Sequence, residues 1–204
     1  PSRFLFDRLV AWGIPDQKLR YVPNFVSPVD MPSVGIKEQT GGAFLFVGRL
    51  MKEKGIDLFF EAARALPEIE FAVAGQAKTP EQTAVYAAQA QALPNLTWHG
   101  HISDKAELRK LMAQAKAVVV PSEWYENAPL TVLEALAAGT WVITSLRGGL
   151  PELIQSGKNG MVFEPGSVQG LIEAIQLIAA KPGKPEVSLD QKFLPQTHLA
   201  QIQA

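Results

Sequence analysis

Residues 121–139 read Pro-Ser-Glu-Trp-Tyr-Glu-Asn-Ala-Pro-Leu-Thr-Val-Leu-Glu-Ala-Leu-Ala-Ala-Gly. An apolar run at 117–120 precedes this stretch, and a proline followed by an Ala- and Leu-rich run that stops at Gly139 predicts a helix. A buried strand therefore passes through a loop into a helix. Glu126 lies just before the helix and Glu134 about one turn into it. We expect the start of the helix to face an anion, with the two glutamates holding hydroxyl-bearing groups on either side.

Strands and helices alternate along most of the chain. Short apolar runs predict strands at 43–47, 70–75, 95–100, 117–121, 141–145 and 160–163. Helical spacing of apolar residues predicts helices at 3–12, 56–66, 80–93, 103–115, 151–155 and 168–179, besides the one that ends at Gly139. Ser103 is the expected N-cap of its helix. Because runs such as 118–120 are apolar on both faces, the sequence predicts an α/β fold with a doubly wound, Rossmann-like parallel sheet.

The loops that follow the strands hold the unusual residues of the sequence. In doubly wound sheets, ligands bind beyond the carboxyl ends of the strands, so these loops are expected to open on one edge. They follow Val47, Ala74, His99, Val120 and Ser145.

Three segments lie outside the alternation. Residues 27–42 carry prolines and glycines, few large apolar groups and a closing Gly-Gly, which predicts a mobile connector. The compact domain is expected to start at about Ala43. The sequence Lys-Pro-Gly-Lys-Pro at 181–185 predicts a linker, followed by a weakly amphipathic tail that ends at Ala204.

Composition excludes several classes of function. The 204 residues are 47% hydrophobic and carry 19 basic and 20 acidic side chains, a net charge of -1, so nucleic acid is not an expected partner. The absence of cysteine excludes disulfides and thiolate metal sites, and the pair His99 and His101 fits a strand end better than a metal site. No apolar run reaches the roughly 18 residues of a membrane span. A cytoplasmic chain is expected, and the start at Pro1 suggests processing or excision from a longer protein.

The first loop, at 48–55, combines two glycines with three cations. Gly48 and Gly55 let the backbone approach a ligand, Arg49 offers a planar fork to phosphate oxygens, and Lys54 offers a compact charge. Phosphate binding and a plain solvated loop both remain open from these residues alone. The loop lacks the Gly-Lys-Ser/Thr ending of a Walker A motif and the Gly-x-Gly-x-x-Gly dinucleotide fingerprint.

The remaining candidates each have a structural alternative. Glu134 lies among apolar neighbours, where a buried carboxylate needs a partner, yet a glutamate near a helix start also gains about 0.3–1 kcal/mol from the dipole. Glu126 could be an ordinary loop carboxylate. The loops at 148–152, 74–77 and 100–103 could donate backbone groups to a ligand or could be simple turns.

Taken together, these loops resemble the C-terminal, donor-binding domain of the group-1 (family 4) retaining glycosyltransferases of GT-B fold. The motifs recur in order, and the resemblance covers about residues 22–180. The matching motifs are Gly48-Arg49 with Lys54-Gly55, Pro121-Ser122, the Glu126-x7-Glu134 spacing, Glu134-Ala135-Leu136-Ala137-Ala138-Gly139, Gly148-Gly149-Leu150-Pro151-Glu152 and Gly157-Lys158-Asn159-Gly160-Met161-Val162.

The resemblance implies a role for each candidate residue. Arg49 and Lys54 would neutralise the diphosphate of a nucleotide-sugar as the leaving group develops charge. Glu126 would hold hydroxyls of the transferred sugar and Glu134 the ribose hydroxyls. The resemblance also implies a set of further substrate-binding residues, with backbone donors at the start of the helix. They are Gly48, Gly75, Ile102, Asn127, Leu130, Thr131 and Gly149.

Two positions depart from the family pattern. Pro129 replaces a common glycine and has no N–H to donate, so that contact must come from its neighbours. Trp141 replaces a common proline before a strand, where we expect a change of packing only. No Asp-x-Asp metal motif is present, and neither a metal nor a cofactor is expected.

The resemblance also implies that half of an enzyme is absent. GT-B enzymes bind the acceptor on an N-terminal domain, and only residues 1–42 could hold the end of that half with the hinge and linker. Residues 43–180 would bind the donor, and 181–204 would be linker and tail. The chain alone is expected to bind nucleotide-sugar but to transfer none, and peripheral membrane contact of the longer parent is possible. A nucleotide-sugar epimerase, a phosphorylase of related fold and a non-catalytic nucleotide-binding module remain alternatives.

Overall fold

A computed structural model describes residues 1–26, 42–185 and 189–203 and contains one six-stranded parallel sheet. The strand order is β3-β2-β1-β4-β5-β6, so the chain winds outward in one direction from β1 and in the other from β4. This is the doubly wound sheet that the sequence predicts. The strands are β1 (Phe44–Val47), β2 (Phe71–Ala74), β3 (Leu96–Gly100), β4 (Ala117–Val120), β5 (Trp141–Ser145) and β6 (Gly160–Phe163).

Helices cover both faces of the sheet. The helices are α1 (Arg3–Ala11), α2 (Ile56–Ala65), α3 (Pro80–Gln91), α4 (Lys105–Gln114), α5 (Leu130–Ala137), α6 (Val168–Ala179) and α7 (Pro195–Gln203). Side chains of α2 and α6 pack on one face of the sheet, and those of α4 and α5 pack on the other. Alternate strand residues serve the two layers, since Phe44 and Phe46 join the first and Leu45 the second. No helix in the part of the chain that the structure describes combines the length and apolarity needed to cross a membrane.

Two sequence-based assignments are wrong, one by a single residue and one in the type of helix. Asp104, not Ser103, caps α4, because its carboxylate accepts from the Ala106 amide at 2.8 Å. The predicted helix at 151–155 is a 3₁₀ turn over Leu150–Leu153. Almost all of the predicted connector at 27–42 lies outside the described residues.

The predicted linker at 181–185 is held against the amino ends of the strands. Lys184 Nζ donates to the carbonyl of Ala113 at 2.7 Å, and Trp141 Nε1 donates to the carbonyl of Gly183 at 3.1 Å. Burial and the nearby Lys116 lower the pKa of the Lys184 ammonium. Trp141 is 3% exposed, so the side chain that stands where the family commonly has proline fills a buried position.

The N-terminal helix α1 is fastened to the sheet domain at its first turn. Ser2 is its N-cap, because Ser2 Oγ accepts a hydrogen bond from the amide of Leu5 at 3.1 Å. The carboxylate of Glu152 accepts from the amides of Arg3 at 2.8 Å and Phe4 at 2.7 Å. A carboxylate at this position satisfies two of the otherwise unpaired first amides of a helix. No residue of α1 itself is buried, so the contacts of its first turn contribute to holding it against the sheet domain.

We expect Glu152→Ala to free α1 while leaving the sheet intact. Losing a capping carboxylate costs about 1 kcal/mol of local stability. Amide hydrogen exchange should speed up in Arg3–Ala11 and stay unchanged in the strands. Glu164→Ala, at an exposed glutamate of another loop, is the matched control. Equal exchange of α1 in wild type and Glu152→Ala would show that the cap does not hold the helix.

Candidate active site

The loops after β1, β2 and β3 enclose a cavity of about 630 Å³. Gly48 and Arg49 line it from the first loop, Gly75 from the second and Ile102 from the third. The expectation that these loops open on one edge of the sheet is confirmed. Lys78 of the second loop adds a cation to the lining that the sequence reasoning missed. The cavity thus joins an apolar strand edge to at least two positive charges, which suits a phosphorylated ligand.

A second group of residues surrounds the carboxylate of Glu126, which is only 8% exposed. Lys54 Nζ donates to its Oε1 and forms an ion pair with it. Ser122 Oγ at 2.9 Å and Trp124 Nε1 at 2.8 Å donate to the same oxygen. Ser122 is held in turn, because its carbonyl accepts from Ser145 Oγ at 2.6 Å. We call Lys54, Ser122, Trp124 and Glu126 the Glu126 cluster.

The surroundings of Glu126 determine its charge. Burial alone would raise the pKa of the carboxyl group, because a buried charge loses its hydration. Hydrogen bonds from Lys54, Trp124 and Ser122, together with the positive charge of Lys54, outweigh that effect and leave the pKa of Glu126 below its usual value. The group is therefore ionised at neutral pH. Glu126 is therefore a buried and paired carboxylate of its loop, not a solvated one.

Glycines bring the loops of the site into backbone contact. A Cβ on Gly55 would lie 1.9 Å from the carbonyl oxygen of Pro121, and one on Gly75 would lie 1.9 Å from that of Gly48. These two glycines therefore let loops approach each other, and not only a ligand as the sequence reasoning expects. Gly48 itself has open space where its Cβ would be, with the nearest atom at 4.0 Å.

The Gly148-Gly149 turn packs against the loop that carries Glu126. The amide of Gly149 donates to the carbonyl of Glu126 at 2.7 Å, and a Cβ on Gly148 would lie 2.2 Å from that same oxygen. The side-chain oxygen of Asn127 accepts from Ser2 Oγ. The predicted substrate contacts of Gly149 and Asn127 thus involve groups that already bind protein atoms in this structure.

Helix α5 carries the predicted residues Leu130, Thr131 and Glu134. It begins after Pro129, whose side chain makes no capping hydrogen bond to the first amides. Leu130 is 51% exposed and Glu134 is half-buried, so Glu134 is less buried than its apolar neighbours predict. The described residues that line the cavity do not include these three. The structure places them at the same edge of the sheet but outside that cavity.

Sequence reasoning missed two members of the Glu126 cluster. Ser122 and Trp124 lie in the quoted stretch, yet neither was assigned a contact with Glu126. The available signal was the spacing, since a serine four residues before a glutamate and a tryptophan two before it can converge only if the loop turns back. Within the described residues, no group of three or more His, Asp or Glu side chains is placed to hold a metal ion.

The fold defines the class of this protein as a Rossmann-like α/β domain, with a cavity at the carboxyl ends of β1, β2 and β3. The family described as "Glycosyl transferases group 1" matches residues 32–192. A glycogen synthase of Mycobacterium tuberculosis is 32% identical over 173 residues, which is 81% of this chain and 41% of that protein. The chain thus spans about two-fifths of this relative.

Solved structures show the same fold. Anabaena HepE in complex with UDP matches 99% of this chain and 61% of its own, with a TM-score of 0.80 and 21% identity. The C-terminal domain of a group 1 glycosyl transferase from Francisella tularensis matches 76% of this chain and 88% of its own, with a TM-score of 0.64 and 25% identity. The chain belongs to the group 1 glycosyl transferases, and its sheet matches the GT-B fold.

The contact between Gly55 and Pro121 predicts a large effect of one methyl group. Gly55 has φ of +75° and Gly157 has φ of +79°, but a Cβ on Gly157 meets nothing within 4 Å. Gly157→Ala should cost about 1–2 kcal/mol from backbone strain alone. Gly55→Ala should cost more than about 3 kcal/mol, because the clash adds to the strain. Urea unfolding of both variants measures this, and equal costs would contradict the close contact.

The Glu126 cluster predicts a pH-dependent stability. Because the folded pKa of Glu126 is lowered, its ion pair stabilises the protein above the unfolded pKa and is lost as pH falls through the folded pKa. Lys54→Met should cost about 1–2 kcal/mol at pH 7, a value reduced for the partial exposure of Lys54. The difference from wild type should shrink below about pH 4. Lys52→Met in the same turn is the control, and a pH-independent loss in Lys54→Met would contradict the pairing.

Proposed function

We propose that this chain is the donor-binding part of a retaining glycosyltransferase, of hexosyltransferase type, that uses a nucleotide-diphosphate sugar. The observation that carries the proposal is the buried, ion-paired carboxylate of Glu126, which lies in a loop at the same sheet edge as a cation-lined cavity. Charged carboxylates accept hydrogen bonds from sugar hydroxyls, and cations with helix starts bind phosphates. HepE structures that contain UDP and UDP-glucose support a donor of this class.

In this proposal the nucleotide occupies the cavity between the first three loops. Arg49 lies at the boundary of this cavity and of a neighbouring crevice of about 490 Å³, so its guanidinium can reach phosphate oxygens at the rim. As the bond between sugar and phosphate breaks, negative charge grows on the diphosphate. A guanidinium at this position stabilises that charge more in the transition state than in the ground state.

The sugar lies toward the Glu126 cluster. Glu126 accepts hydrogen bonds from sugar hydroxyls and so fixes the ring relative to the leaving group. Lys54 bridges the two regions, because it pairs with Glu126 while belonging to the same loop as Arg49. The proposed arrangement is diphosphate near Arg49 and the start of α5, ribose toward Glu134, and sugar at Glu126.

The acceptor is bound by a part of the enzyme other than the donor-binding domain. Transfer therefore requires more than the residues of this chain, and we expect the 204-residue chain alone to transfer no sugar. No cofactor is needed in this scheme, because Arg49, Lys54 and helix amides balance the diphosphate charge. A chelator should leave donor affinity unchanged. We place the parent enzyme in the cytoplasm, with peripheral membrane contact as an option set by its acceptor.

A binding panel tests the donor. Calorimetry or thermal shift with UDP, GDP and ADP and their glucose or mannose derivatives should show one nucleotide that binds. Arg49→Ala should then weaken affinity for the diphosphate about tenfold or more, since charge-assisted hydrogen bonds contribute about 1.5–3 kcal/mol. Arg64→Ala, an exposed arginine on α2, is the control.

Unchanged affinity in Arg49→Ala would contradict the phosphate role, and no binding by any nucleotide would contradict the donor role. In the longer parent, Glu126→Ala should abolish transfer, whereas a non-catalytic binding module would keep its function. Proton NMR of the product tests whether the configuration at the anomeric carbon is retained. An inverted anomeric carbon would contradict the retaining mechanism, and release of free sugar or an epimerised donor would contradict the transferase assignment.

A further inference from the structure

We infer that Trp124 is a positioning residue that orients the carboxylate of Glu126 for the sugar of the donor. Its indole N–H holds Oε1 of that carboxylate, and its ring faces the ammonium of Lys54. Oε2 is thereby directed to the hydroxyls of the transferred sugar. The inference rests on the proposed function and adds a residue to it.

All hydrogen bonds that the Glu126 side chain accepts from the described residues end on one oxygen. Lys54, Ser122 and Trp124 each donate to Oε1. Three donors on one carboxylate oxygen fix the rotation of the group, because turning it would break all three bonds together. The second oxygen then has a set direction and keeps its capacity to accept.

Trp124 connects the two charges of the cluster. The Lys54 ammonium lies 5.0 Å from the centroid of the indole ring, within the range of a cation–π contact. The same ring therefore restrains the cation through its face and the anion through its N–H. Removing the indole N–H changes the position of Glu126 without removing either charge.

The environment of Trp124 argues against a packing role. The side chain is 44% exposed and is not among the buried core residues, although an indole could fill a core position. An exposed indole that donates to a buried carboxylate gains little from burial and much from the charged hydrogen bond. Its neighbour Tyr125 is 60% exposed and stacks on Phe4, and it is not among the residues that donate to the Glu126 carboxylate.

The decisive comparison is between Trp124→Phe and Tyr125→Phe. Each change removes one polar hydrogen and keeps an aromatic ring, but only the first removes a hydrogen bond to Glu126, and it also makes the ring that faces Lys54 smaller. Calorimetry uses UDP-glucose and UDP, or the corresponding pair of the nucleotide that binds wild type in the panel above. Trp124→Phe should weaken the nucleotide-sugar about fivefold and leave the free diphosphate unchanged, while Tyr125→Phe changes neither.

A second measurement does not depend on a donor. Carbon NMR of the Glu126 carboxylate, assigned with Glu126→Gln, should show that Trp124→Phe raises its pKa toward that of a free glutamate. Ser122→Ala, which removes another donor to the same oxygen, should act in the same direction. Tyr125→Phe should leave the pKa of Glu126 unchanged.

The outcomes separate this inference from the proposed function. An unchanged Glu126 pKa in Trp124→Phe overturns the inference, as does an equal loss for nucleotide-sugar and free diphosphate or an equal loss in Tyr125→Phe. Absence of any nucleotide-sugar binding by wild type overturns the proposed function, and the titration then still decides whether Trp124 holds Glu126.

Discussion

The backbone contact between Gly55 and Pro121 is the constraint on which the site depends. These residues follow β1 and β4, the neighbouring strands from which the chain winds outward in opposite directions. At such a reversal, the loops of doubly wound sheets diverge and leave a crevice. Here the absence of a Cβ at Gly55 lets the loop after β1 approach the loop after β4, and Lys54 of the first loop pairs with Glu126 of the second. A side chain at position 55 would push the two loops apart and separate the charges.

The buried carboxylate of Glu126 requires polar partners, and these partners restrain the loop from 121 to 127. Removing a carboxylate from water costs several kcal/mol unless charge and hydrogen bonds offset it. Lys54, Ser122 and Trp124 supply that compensation, and Ser145 fixes the backbone of Ser122. The loop is therefore held by polar contacts in a state that already matches the proposed sugar site. Preorganisation of this kind lowers the free energy needed to bind and orient a substrate.

Sequence reasoning predicted the sheet because each strand and helix carries its own local pattern. The run at 118–120 is apolar on both faces, and α6 has the predicted bounds of Val168–Ala179. The missed features are contacts between segments distant in sequence. Lys184 reaches Ala113 from a segment that the sequence predicts to be a linker, and Gly55 contacts Pro121 across 65 intervening positions. Glycine and proline in a sequence predict turns and linkers, but the contacts that these segments make with distant residues are visible only in the folded structure.

The segment before the sheet is tied to the site as well as to the tail. Ser2 donates to Asn127 within the loop of Glu126, and Asn24 donates to the carbonyl of Ala128 at 2.8 Å. The ring of His198 in α7 contacts the carbonyl of Pro23 at 2.7 Å. A movement of residues 1–26 would therefore displace both Asn127 and Ala128, which directly follow the residue whose carboxylate is proposed to hold the sugar.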